Sequence, residues 1–166
     1  MESHPQEHWV QTELREIPVA NRQEVEFVAN LISKHSWGEE YPVHPLSELK
    51  AAERIYAAYA GADIVSCVAI TRNGSPDGEG NGDLWFGYAV TLDEYRKQGI
   101  FTKLYTQATK YAASQPGRLF ACTSSEVMDV FFPAHGWQKI RDTKDEQNND
   151  CRVYEYSLQT RLGSAR

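Results

Sequence analysis

Asp83-Leu84-Trp85-Phe86-Gly87-Tyr88-Ala89-Val90-Thr91-Leu92-Asp93-Glu94-Tyr95-Arg96-Lys97-Gln98-Gly99-Ile100-Phe101-Thr102 reads as an apolar strand, a short turn, and a basic loop that opens into a helix. A strand-loop-helix junction of this kind gathers the unbonded N–H groups of the first helical turn, and the positive end of the helix, at one point in space. That combination suits a pyrophosphate. Gly99 has no Cβ, so it can take a positive φ and bring the backbone close to phosphate oxygens. Arg96, Lys97 and Gln98 precede it. Ile100, Leu104, Ala108 and Ala112 then recur at a spacing of four, with Phe101, Tyr105 and Tyr111 flanking them. This stripe predicts a helix that packs on a sheet and keeps its N-terminus fixed on the ligand.

Reading outward, a first strand is expected over Trp9 to Ile17. Asn21, with Glu24 three residues on, forms a capping-box pattern for a helix whose Val25, Val28, Ala29 and Ile32 share a face. His35 to Pro45 reads as a loop, followed by a short helix from Leu46 to Ala52. Strands are expected at Arg54 to Tyr59 and Ile64 to Thr71, turned at Gly61-Ala62-Asp63. A flexible glycine-rich loop, Asn73 to Gly82, then leads into the strand Leu84 to Val90. Pro116-Gly117 ends the motif helix, Arg118 to Thr123 is a strand, and a short helix from Glu126 to Phe131 should stop before Pro133. Gln138 to Arg141 and Arg152 to Leu158 make a last strand pair around the loop Asp142 to Asp150.

Val90-Thr91-Leu92-Asp93-Glu94-Tyr95-Arg96-Lys97-Gln98-Gly99-Ile100 resembles the acetyl-CoA-binding motif of the GCN5-related N-acetyltransferases, the GNAT superfamily, with its Arg/Gln-x-x-Gly-x-Gly/Ala loop. Arg96 and Gly99 match, whereas Phe101 stands where a second small residue is usual. Phe131-Phe132-Pro133-Ala134-His135-Gly136-Trp137 is similar to the superfamily's downstream Phe-Tyr-x-x-x-Gly-Phe segment. The resemblance implies an α/β (α+β) fold with a mixed, mostly antiparallel central sheet flanked by helices, in the order β-α-α-β-β-β-α-β-α-β-β. It also implies a single N-acetyltransferase domain over residues 1–166, with an ordered core over about 9–160.

Bulk properties agree with a soluble globular chain: 166 residues, 41% hydrophobic, 24% charged. No apolar run reaches spanning length and the first residues do not form a signal peptide, so the expectation is a cytoplasmic protein without a membrane partner. A net charge of -6 disfavours nucleic-acid binding and suits a cationic acceptor. Cys67, Cys122 and Cys151 lack metal or disulfide spacing, and Cys67 and Cys122 read as buried thiols. Asp77 to Asp83 alternates oxygen ligands, but Tyr88 holds the position where an EF-hand needs its bidentate Glu. No metal site is expected. The apolar residues near the C-terminus suit burial within the monomer or across a homodimer.

The resemblance further implies direct transfer of an acetyl group from acetyl-CoA to the amine of a small molecule. In that reading the cofactor contacts are Tyr88, Ala89, Val90, Arg96, Lys97, Gln98, Gly99, Ile100, Phe101, Thr102 and Ser125. Candidate bases are Asp83 at the start of the central strand and Glu39 or Glu40 in the loop toward the acceptor. Together with Asp77 and Glu79 these acids predict a negative acceptor entrance. The tyrosine that commonly protonates the departing thiolate corresponds to Phe132, leaving Tyr88, Tyr95 or Tyr105 as substitutes. Two other classes stay open: a CoA-binding regulatory protein that has lost the chemistry, and an acetyltransferase acting on a peptide or protein.

Overall fold

The computed structural model describes residues 11–35 and 45–157. The ends of the first and last predicted strands, and most of the loop after the first helix, lie outside the described residues. Within them, β1 (Glu13–Ile17), α1 (Arg22–His35), α2 (Leu46–Lys50), β2 (Arg54–Ala60), β3 (Asp63–Thr71), β4 (Leu84–Thr91), α3 (Ile100–Ala113), β5 (Leu119–Thr123), α4 (Glu126–Ala134), β6 (Trp137–Lys144) and β7 (Asp150–Tyr156) follow the expected order. A 3₁₀ turn at Asp93–Tyr95 joins β4 to the basic loop.

Seven strands form one sheet in the order β1-β2-β3-β4-β5-β7-β6. All neighbours run antiparallel except β4 and β5, which are parallel because α3 carries the chain back across the sheet between them. Strand alternation distributes the core over both faces. Tyr56, Ala58, Val68, Ile70, Leu84 and Phe86 pack against Ile100, Leu104, Ala108 and Ala112 of α3 and Phe132 of α4. Ile55, Ala57, Cys67 and Ala69 face the other way, onto Val25, Val28, Ala29 and Ile32 of α1 and Leu49 of α2. The α1 start is capped as expected, Asn21 Oδ1 accepting from Glu24 N at 3.3 Å.

Three local readings need correction. The glycine-rich loop is braced, not loose. Arg141 on β6 donates to both carboxylate oxygens of Asp77 (3.0 and 2.9 Å), Trp85 Nε1 donates to Gly80 O, and the loop covers a small cluster of Trp85, Phe120 and Val153. Pro133 does not end α4, which runs to Ala134. In the last turn a proline forfeits one bond, to the carbonyl four residues back, and Gly136 (φ 87°) makes the actual stop. Finally, Cys122 is exposed whereas Cys67 and Cys151 are buried, for a reason that lies in the way β4 and β5 meet.

Candidate active site

The parallel pair is short. Leu84, Trp85 and Phe86 pair with Leu119, Phe120 and Ala121, and beyond Phe86 the two strands part. The cause is on the other edge of β4, where the register with β3 shifts between Cys67 and Ala69 and Tyr88 takes a φ of 52°. A β-bulge of this kind bends its strand and leaves backbone groups aimed away from the ladder. The bent half is held to β3 by Ser66, whose Oγ donates to Val90 O at 3.0 Å and lies 2.7 Å from Thr91 Oγ1. Gly87 to Val90 on β4 and Cys122 to Ser124 on β5 therefore border a wedge-shaped gap. Cys122 is exposed because its strand has lost its neighbour there.

The chain leaving β4 passes directly to the N-terminus of α3. Arg96 Nε donates to Thr91 O at 3.1 Å and its guanidinium pairs with Asp93 at 3.2 Å, while Gln98 Nε2 donates to Glu94 O at 3.0 Å. These side chains thus brace the loop from within. Lys97 and Gly99 both have positive φ, 61° and 77°. No side chain caps α3, so the N–H groups of Ile100, Phe101 and Thr102 keep their bonding capacity for a ligand. A Cβ placed on Gly99 would meet no atom within 4 Å. Open space over a positive-φ glycine, ringed by free helix N–H groups, fits a pyrophosphate.

Phe101 occupies the first turn of α3 without closing the loop. Its ring turns along the sheet to Phe86 (6.4 Å between centroids), Tyr105 (6.2 Å) and Phe131 (5.3 Å), tying α3 to α4. On α4, Ser125 is the N-cap residue, and its N–H is held by Thr123 Oγ1 at 2.9 Å. Its own hydroxyl makes no cap bond and faces solvent beside the β5 edge. Phe132 is 2% exposed and packs on Trp137 and Tyr154. Tyr105 is spoken for by Trp137 Nε1, which donates to its hydroxyl at 2.7 Å. Asp129 accepts from Arg152 and from the Tyr154 hydroxyl, and this arrangement holds α4 on β7.

On the face opposite α3, Tyr88 packs with the α1/α2 cluster. Burial pushes its hydroxyl up to about 12, with the charges of Glu48 and Glu146 adding to the shift, so the phenol is a neutral hydrogen-bonding group at physiological pH. Two acids therefore bear electrostatically on Tyr88, Glu48 of α2 and Glu146 of the β6–β7 loop.

Among the predicted bases, Asp83 is not brought to this place. It precedes the closed end of the β4–β5 pair, roughly 20 Å along the strand from Val90 at about 3.3 Å per residue. There its Oδ1 lies 3.4 Å from Arg118 N. Asp77 is occupied by Arg141, whose guanidinium holds its carboxyl far below the usual carboxylate range. Glu79 also faces Arg141, at 3.6 Å. Glu39 and Glu40, with Trp37 and Tyr41, lie outside the described residues. Glu48 and Glu146 escaped sequence reading because neither belongs to a motif. Among the described residues no group of acids, histidines or cysteines has metal-binding geometry, and no described helix is long and apolar enough to cross a membrane.

Comparison with known proteins agrees with this geometry. No curated protein matches the chain. Among solved structures, an acyl-CoA N-acyltransferase from Pseudomonas aeruginosa superposes with a TM-score of 0.70 at 12% identity, covering 89% of this chain and 100% of that one. An aminoglycoside 6'-N-acetyltransferase complexed with coenzyme A gives 0.64 at 14% identity, over 88% and 97%. Arabidopsis thaliana Naa50, in complex with a bisubstrate analogue, gives 0.61 at 15%, over 89% and 99%. The model of the acetyltransferase (GNAT) family matches residues 14–135, from the first strand through the last turn of α4. The chain therefore belongs to the GNAT acetyltransferases, enzymes that take acetyl-CoA as acyl donor.

Proposed function

We propose that this acetyltransferase moves the acetyl group to the primary amine of a small cationic acceptor, by direct attack and without a covalent enzyme intermediate. The observation that carries the reading is the gap between β4 and β5 opening beside the uncapped N-terminus of α3. Acetyl-CoA supplies an activated acyl carbon joined to a thiolate leaving group. The residues of the chain supply its placement. The loop from Arg96 to Thr102 receives the pyrophosphate through backbone N–H groups, and the free edges of Gly87 to Val90 and Cys122 to Ser124 receive the amide-bearing arm as a sheet edge receives a strand. A backbone N–H at the bulge, near Tyr88 to Val90, stabilises the negative charge that develops on the acyl oxygen.

The acceptor approaches from the face bearing Tyr88, where Glu48 and Glu146 favour a cation. An attacking amine must be uncharged. Either Glu48 or an acid of the 36–44 loop, Glu39 or Glu40, takes its proton through water. No cysteine nucleophile takes part: loss of solvation raises the thiols of Cys67, beneath the bulge, and of Cys122, at the border of the gap, to about 12. Phe132 has no proton to give, so the thiolate leaves with backbone dipoles and water around it.

Phe132 also supports a second reading, a CoA-binding protein without turnover. Release of free thiol from acetyl-CoA, measured against polyamines, aminoglycosides, amino acids and N-terminal peptides, separates the two. Turnover is expected with an acceptor carrying a second positive charge. Silence across the panel with intact acetyl-CoA binding would favour the non-catalytic protein, and turnover with peptides alone would replace the small acceptor.

A further inference from the structure

The half of β4 beyond the bulge has lost its ladder to β5, so its direction is set from β3 alone. Ser66 of β3 is fully buried and stands opposite Thr91, with Cys67 opposite Val90. Ser66 Oγ donates to Val90 O at 3.0 Å and lies 2.7 Å from Thr91 Oγ1. A serine hydroxyl carries a single proton. With that proton on Val90 O, the other bond runs the opposite way, Thr91 Oγ1 donating and Ser66 Oγ accepting. The two hydroxyls thus form a relay that ends on the Val90 carbonyl. Cys67 Sγ adds a weaker bond, to Tyr88 O at 3.5 Å.

These bonds do more than hold the strand down. The peptides here are trans, and a planar trans peptide points its C=O and its N–H in opposite directions. Fixing Val90 O on the β3 side therefore turns the N–H of Thr91 away from β3, toward the gap. Fixing Tyr88 O does the same for the N–H of Ala89, a residue that is exposed although Phe86 and Val90 of the same strand are buried. The loop that follows has an anchor of its own, Arg96 Nε on Thr91 O, in which the Ser66 side chain takes no part.

Resting on the donor placement given under the proposed function, we propose that Ser66, acting through Val90 O and the Thr91 hydroxyl, is a positioning residue for the acyl donor. It aims the free N–H groups of β4 at the amide-bearing arm of coenzyme A and leaves the pyrophosphate loop to its own braces. Its removal should loosen the grip on the arm while the grip on the nucleotide stays as it is.

Calorimetric titration with coenzyme A and with phospho-ADP, its nucleotide half, separates arm from loop without an identified acceptor. The native protein should bind coenzyme A more tightly, because only that ligand spans the gap. Ser66→Ala should weaken coenzyme A by about fivefold or more, about 1 kcal/mol, and leave phospho-ADP within about twofold of its native affinity. Thr91→Val keeps the shape of the side chain and removes the hydroxyl, so it should give the same split, and it serves if Ser66→Ala does not fold. Thr91→Ser, which retains the hydroxyl, should bind coenzyme A as the native protein does. Equal weakening of both ligands in the folded variants, or of neither, would overturn Ser66 as a positioning residue while leaving acetyl transfer in place. A Thr91→Ser variant as impaired as Thr91→Val would overturn the relay. A native protein that binds coenzyme A no better than phospho-ADP would overturn the placement of the arm in the gap, and the role of Ser66 with it.

Discussion

Gly99 combines a left-handed backbone with empty space where its side chain would be, so a substitution there meets two separate obstacles. Gly99→Val forces a β-branched residue into a φ that such residues avoid, and it projects methyl groups into the volume assigned to the pyrophosphate. Calorimetry should show acetyl-CoA affinity lowered by about tenfold or more, equivalent to about 1.4 kcal/mol, with the folded circular dichroism spectrum retained. Native affinity in the folded variant would remove the pyrophosphate from this loop. The positive φ of Gly99 was legible in the sequence because a glycine at the turn before an apolar helix stripe marks a backbone that a side chain would strain. The same argument worked less well for Arg96 and Gln98. Their residue types pointed to the ligand, but the structure uses their side chains to brace the loop, a role that depends on where the Thr91 and Glu94 carbonyls turn. Asp83 failed for a related reason. A carboxylate next to the central strand looks equally suited to chemistry at either end, and only the strand direction and the site of parting show that it lies at the closed one.

At the scale of elements, α4 shows how much can be anticipated from pattern and where pattern stops. The residue pattern placed a helix there and the family segment aligned Phe132 with the usual proton-donating tyrosine, whereas the structure buries Phe132 between Trp137 and Tyr154. The extension through Pro133 was missed, since the penalty of a proline depends on how many turns follow it. Neither did spacing reveal that Asp129 pairs with Arg152 across to β7, a contact between residues 23 positions apart. If Phe132 is purely structural, Phe132→Tyr leaves kcat unchanged or raises it, because the added hydroxyl either finds the cleft or costs some packing without removing a catalytic group. Steady-state thiol release with the best acceptor is the measurement. A loss of more than about tenfold in a folded variant, about 1.4 kcal/mol in barrier, would give the apolar ring a part in catalysis.

For the whole molecule, the acids that matter to stability are those joining distant elements. Asp129 is held below its ordinary value first by its bond from Arg152, and Asp77 by its bond from Arg141. A depressed carboxylate contributes stability that is complete above the unfolded value near 3.9 and is lost as pH falls through the folded value. Thermal melts should therefore be level between about pH 7 and 5 and decline below about pH 4. Asp129→Asn should lower the melting temperature at pH 7 and make that acid decline shallower, whereas a decline as steep as that of the native chain would exclude the pair as its source. The fold class and strand order were legible throughout because each element carries its own period, 3.6 or 2, along the sequence. The parting of β4 from β5 was not. It arises from one bulge opposite β3, and no local pattern marks the residue at which two otherwise ordinary strands cease to touch. That parting divides the sheet into β1 to β4 on one side and β5 to β7 on the other, joined directly by just three residue pairs at one end. On the proposed placement, a donor lying in the gap bonds to both sides and becomes, for the duration of the turnover, the missing rung between them. The enzyme would then be a more continuous solid when loaded than when empty, and each release of CoA would reopen the seam.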